Sequence, residues 1–248
     1  MKVKKLLSTS QPAKYFHGRF SGFRIVKDGE PSARVRGVTK SIAKKLFSGG
    51  LLPLVARRGE ARPGGHWKGK NGGRRRGKCV DAQVSRLVNS GKRVDGHVFQ
   101  LTKTVFTALE MKKLKPVIAQ RTVASEAHRL GSAIDIICLD EKNSLVLVEL
   151  KCGFDKYRKV AAVKNNVACK MKQPLQDRYD STLNRHILQL AVTYALFITE
   201  TETLAELKKL GVTRVRGLLL YAADHGAEFH VLSKKWRDSA PDILNKLK

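Results

Sequence analysis

Residues 131–153, GSAIDIICLDEKNSLVLVELKCG, decide the fold. Two apolar runs, 133–139 and 144–151, flank the turn-like Asp140-Glu141-Lys142-Asn143, the pattern of a β-hairpin. Both runs are apolar at successive positions, as in strands covered on both faces. Asp135 is the one acid inside the first run, and Glu149 and Lys151 end the second. A buried carboxylate is costly unless it is paired or bound to a metal. A hairpin centred on Lys142 sets Asp135 opposite Glu149, with side-chain bases ~5 Å apart. Lys151, two residues beyond Glu149, points to the same face. A slip of one residue would separate the two acids.

Outward from the hairpin the chain alternates helix and strand. Residues 80–90 predict a helix with Val80, Val84, Leu87 and Val88 on one face, stopped by Gly91. Residues 98–113 predict a second, and 117–124 a strand after Pro116. Beyond the charged stretch 154–179, Asp180 or Ser181 caps a helix to about residue 200. Its buried stripe is Ile187, Leu190, Ala191, Tyr194, Ala195 and Ile198. A short helix at 203–210, a strand at 216–222, the turn Asp224-His225-Gly226 and a strand at 228–232 follow. Near the front, 38–47 reads as a short helix ended by Gly49-Gly50. This order defines an α/β fold, a mixed central sheet with flanking helices, preceded by a basic N-terminal extension.

The 248 residues carry 49 Lys and Arg against 21 Asp and Glu, a net charge of +28. Residues 1–79 hold 21 of those cations and only 3 of the acids. The stretch 57–78, RRGEARPGGHWKGKNGGRRRGK, has almost nothing to bury and reads as a flexible arm, so residues 1–78 are set apart from a domain at 79–248. Its natural partner is a polyanion, nucleic acid before membrane, because no apolar face at helical spacing is available to insert. Arg74, Arg75 and Arg76 supply charge and Trp67 a stacking surface. A solvated linker or localisation signal accounts for the arm equally well.

Cys79, Cys138, Cys152 and Cys169 form no Cys-x-x-Cys pair, which argues against structural zinc and suits reduced thiols in an intracellular protein. No signal-peptide core follows Met1, so secretion is not expected; the acid-poor first residues leave mitochondrial import open. No apolar run reaches the ~18 residues of a membrane span. Gly69-Lys70 is followed by Asn71, not Ser or Thr, so there is no P-loop, and no Gly-x-Ser-x-Gly elbow occurs.

Two carboxylates at this spacing repel unless a cation sits between them. Mg²⁺ binds such sparse oxygen sets while keeping waters and accepting phosphate oxygens. An ammonium nearby can orient a water or offset developing charge. The plainer account is a structural salt bridge of Lys151 with Glu149 or Asp135 at the sheet end.

The run 131–153 resembles the core of the PD-(D/E)XK nuclease superfamily, in the branch that contains the RecB-type nuclease domain and phage lambda exonuclease. The resemblance covers about residues 80–232. It implies a restriction-endonuclease-like αβββαβ core and a Mg²⁺- or Mn²⁺-dependent deoxyribonuclease. An exonuclease acting in DNA repair, recombination or genome processing is expected, in the nucleus or cytoplasm or from a virus. Asp135, Glu149 and the Leu150 carbonyl would be metal ligands and Lys151 the catalytic lysine. Gln189 matches the branch's helix glutamine, although the tyrosine expected four residues later stands one place late, as Tyr194. His97 resembles a metal-binding histidine of some RecB-type relatives. Gln120 occupies roughly the place of a further acid that many relatives have, and Glu126 is the nearest acid. Arg121, Arg129, Arg158, Lys156 and Lys159 would contact phosphates. The lambda-type branch includes ring-shaped trimers, so a homo-oligomer is compatible. The alternative is a non-catalytic nucleic-acid-binding protein on the same fold.

Overall fold

The computed structural model describes residues 2–16, 22–27, 30–52, 72–91, 98–152 and 156–248. The central hairpin forms as its pattern demands: β5 (Leu130–Leu139) and β6 (Leu145–Cys152) are antiparallel, with Ile136 opposite Val148 and Leu139 opposite Leu145. Asp140 shapes the turn by accepting from the Lys142 and Ser144 N–H groups at 2.9 and 2.7 Å, and Asn143 takes φ 54°, a conformation Asn tolerates.

β4 (Lys115–Ser125) pairs along the whole of β5. On the far side, β6 pairs in parallel with β9 (Val215–Ala223), which turns into β10 (Gly226–Val231). The sheet is therefore mixed. It also takes in the front of the chain: β1 (Ala13–Phe16), β2 (Gly22–Lys27) and β3 (Glu30–Gly37) form a meander whose last strand pairs in parallel with the start of β5. The expected boundary at 78/79 falls inside a helix. Two short strands, β7 (Val163–Lys164) and β8 (Val167–Ala168), make a separate hairpin.

Helices cover both faces. One carries α1 (Lys2–Thr9), α2 (Val38–Leu46), α5 (Thr182–Ile198), α6 (Thr201–Lys209), α7 (Lys234–Asp238) and α8 (Ala240–Leu247). They contribute Leu7, Ile42, Leu188, Leu207, Trp236 and Ile243 to a core that also holds Ile134, Leu147 and Leu219 of the sheet. The other carries α3 (Gly72–Ser90) and α4 (Gln100–Met111), whose Val84 and Val105 pack on Ile136, Val148 and Leu220. Ser181 caps α5 by accepting from the Asn184 N–H at 3.2 Å.

Two expectations change. α3 begins at Gly72, so the end of the supposed flexible arm is helical and Arg74, Arg75 and Arg76 stand on its first turns, where α-helical hydrogen bonding runs on into the stripe from Val80. Ile198, assigned to the buried stripe of α5, is 39% exposed at the helix end. Helices α7 and α8 carried no expectation at all. Trp67 and His97 lie outside the described residues. Among the described residues, no helix is long and apolar enough to cross a membrane.

Gly131, where β3 joins β5, is held against Phe23 and Val35: an added Cβ would stand 2.7 Å from Phe23 Cβ and 2.9 Å from Val35 Cγ2. Gly131→Ala is expected to lower stability by roughly 1–3 kcal/mol, read from chemical denaturation. An unchanged midpoint would mean that the β3–β5 junction is looser than described.

Candidate active site

β4 occupies one edge of β5 throughout, so β3 and β6 must share the other. β3 takes residues 130 and 131, and β6 takes residues 136–139. Among the described residues, 132–135 have no ladder partner on that edge. Asp135 sits at the end of this opening, where β5 and β6 part. Its Oδ2 accepts from the Leu150 N–H at 2.8 Å, in place of another rung. The expected register holds along the paired rungs, but the direct Asp135–Glu149 rung is not made.

The strand is also irregular here. Ile134 and Ile136 are two residues apart, yet they enter opposite cores, whereas side chains at that spacing in a regular strand share a face. Gln120 on β4, between the partners of those two residues, has φ 56°. The Gln120 amide nitrogen donates to Asp135 Oδ1 at 3.3 Å and to Asp81 Oδ1 of α3 at 2.9 Å. The irregular rung thus joins Asp135 to a second acid from the far helix layer.

On the α5 side, Glu149 is 1% exposed and its Oε1 accepts from Lys151 Nζ and, at 2.6 Å, from Gln189 Nε2. Lys151 also lies 3.4 Å from Gln189 Oε1. Glu149, Lys151 and Gln189 are thus joined on the α5 side, while Asp135 turns toward α3 through Gln120. The common face expected for the two acids is not kept, and the two groups adjoin through the Leu150 backbone and the charge of Lys151. Tyr194 is buried in the core, as its place on the stripe predicts. Glu126 is exposed at the β4–β5 turn, while Gln120 faces Asp135.

Lys151 pairs with Glu149 and interacts through charge with Asp135 and Asp81. Burial pushes Glu149 up to about 8, with Asp135 and Asp81 adding to the shift and Lys151 opposing it. Burial likewise raises Asp81 to about 7, and raises Asp135 against the pull of Lys151 and the Leu150 N–H. For Lys151, burial disfavours the ammonium, but Glu149 and Asp135 outweigh it and hold the group protonated. The neighbouring Cys152 thiol is pushed up to about 12 by burial and so is not a thiolate donor.

This all-oxygen, acid-rich donor set fits a hard divalent ion. Among the described residues, no group of three or more His, Cys, Asp or Glu is arranged to hold one alone. Asp135, Glu149 and the Leu150 carbonyl would need water or phosphate oxygens to complete a shell, as Mg²⁺ commonly has.

Asp81 went unread in the sequence. Its signal was present: it lies three and seven residues before Val84 and Val88, on the edge of an apolar stripe where an acid is out of place.

A groove of about 560 Å³ runs between β3, α2 and the β4–β5 turn. Its lining includes Arg34, Arg36, Lys40, Lys44, Lys45 and Arg129, and no acid. Arg129 of this lining immediately precedes β5 and stands six residues, about 20 Å of extended chain, from Asp135. Arg129 thus stands where an anion could reach it. Arg75 is exposed, and Arg76 lies 3.4 Å from Asp224. Arg121 does not fit its expected role. It is 0% exposed, paired with Glu200 at 2.6 Å, donates to the Leu7 and Ser10 carbonyls at 3.2 and 2.9 Å, and packs over the Phe197 ring. Alternation along β4 points it inward, beneath α1 and α6, away from any phosphate.

A scan against protein-family models finds no match to this chain, and a search of the curated proteins finds none either.

Proposed function

We propose that the chain is a metal-dependent nuclease of the PD-(D/E)XK type, hydrolysing phosphodiester bonds of DNA. The observation that carries this reading is the convergence of Asp135, Glu149, Lys151 and Gln189 at the one stretch of β5 left open between β3 and β6. The element order from α3 to β10 is compatible with a restriction-endonuclease-like core, and the cationic groove along β3 and α2, whose lining holds no acid, suits a polyanion.

Asp135, Glu149 and the Leu150 carbonyl would hold Mg²⁺ or Mn²⁺. Such an ion, when bound, lowers the pKa of a water and offsets charge on the scissile phosphate. The chain's own groups do the rest. The Leu150 N–H and Gln120 fix the Asp135 carboxylate. Gln189 holds Glu149 and lies beside Lys151, keeping the ammonium at the site. Lys151 is protonated and can stabilise negative charge as it develops on a phosphate oxygen.

The test is incubation of labelled linear and circular duplexes with Mg²⁺, Mn²⁺ or chelator. Cleavage with either metal and none with chelator is the expected result, and preference for linear substrate would support an exonuclease. Binding of DNA without cleavage in any metal would favour the non-catalytic reading, for which the cationic groove would suffice.

A further inference from the structure

The face of the sheet that carries Glu149 and Lys151 continues across two more strands. Register sets Tyr221 beside Lys151 and Glu228 beside Tyr221; one step down, Leu219 lies beside Glu149 and His230 beside Leu219. Partners across a ladder share a face. The 3-10 turn Lys156–Lys159, which follows the site strand, returns over this row.

Arg158 of that turn rests over the Tyr221 ring, 4.7 Å from its centre, and pairs with Glu228. Lys159 is 3.8 Å from the same carboxylate and His230 Nε2 is 2.9 Å from it. His230 is held toward its neutral form by burial and by Arg158. Among the described residues, two fixed cations therefore lie against one carboxylate, one strand from Lys151. The supports are firm. The Tyr221 hydroxyl is 2.8 Å from His186 Nδ1, and His186 stands one turn before Gln189 on α5. Arg158 itself is only 12% exposed, whereas Glu228, on the edge strand, is 40% exposed. A stacked guanidinium cannot lose its proton and matches phosphate oxygens with two parallel donors.

We infer that Arg158 is a substrate-binding residue that grips the phosphodiester adjoining the scissile one, exchanging Glu228 for its oxygens. Tyr221 and His186 are positioning residues that set its height over the sheet. The inference rests on the hydrolase reading and names a contact for that enzyme's substrate strand.

The experiment uses the full chain, with affinity for a labelled duplex measured in chelator across a salt series and cleavage measured in Mg²⁺. Arg158→Ala is expected to weaken affinity about tenfold or more and to flatten the slope of log affinity against log salt by about 0.9, one phosphate's worth. KM should rise more than kcat falls. Arg158→Lys should restore the slope but only part of the affinity. Glu228→Gln should bind as tightly as the unchanged chain or more so. An unaltered salt slope in Arg158→Ala, or Glu228→Gln losing as much affinity as Arg158→Ala, overturns the inference while leaving the hydrolase reading intact. No metal-dependent cleavage by the unchanged chain overturns both.

Discussion

Glu149→Gln is expected to reduce Mg²⁺-dependent cleavage on the order of 10³-fold while leaving thermal stability in chelator no lower than before. The substitution keeps shape and an oxygen that can accept from both Lys151 and Gln189. What it removes is charge. Glu149 sits buried with Asp135 and Asp81 nearby, and burial pushes it up to about 8, so the fold penalises its charged form relative to the neutral form. The amide imitates that form and cannot serve as an anionic ligand. A structural ion pair predicts the opposite. Removing one partner of a buried pair typically costs ~3–5 kcal/mol, and cleavage by the folded fraction would be unaffected. Activity assays with unfolding curves in chelator separate the two.

Arg121→Ala should destabilise the fold by roughly 3–5 kcal/mol and leave DNA affinity of the folded protein unchanged. Its guanidinium is the shared donor for Glu200, for the Leu7 and Ser10 carbonyls and for Thr122, tying α1 and α6 to β4. Without it, Glu200 is left buried with its charge uncompensated. The double variant Arg121→Met with Glu200→Leu should recover part of the loss, because both charges leave together. Chemical denaturation reads the stability, and a salt series of duplex binding reads the affinity. A flatter salt slope in the single variant would return Arg121 to the phosphate contacts.

The hairpin of β5 and β6 was legible because its signal is local: two apolar runs, a turn, and a register that follows from the turn's centre. The α5 helix was legible from its stripe and the Ser181 cap. Gln189 followed from the family resemblance. Other features depend on distant partners. Whether Arg121 faces solvent or core is settled by α1 and Glu200, far away in the chain, and an arginine in an otherwise apolar strand looks the same either way. The irregular rung at Gln120 and Asp135 leaves no mark in VIAQRTV or SAIDIIC that periodicity can read. Asp81 reaches the site only because that rung turns both side chains toward α3. The N-terminal meander escaped because its strands are short, polar outside and completed by pairing to β5.

Cleavage by this site requires a divalent ion held between Asp135 and Glu149, and calorimetric titration of the metal-free chain with Mn²⁺, without DNA, tests this directly. The unchanged protein should bind the ion saturably at this site, and Asp135→Ala and Glu149→Gln should each abolish that binding while remaining folded. Saturable binding that survives in both folded variants, or none in the unchanged chain with or without a duplex present, would contradict it.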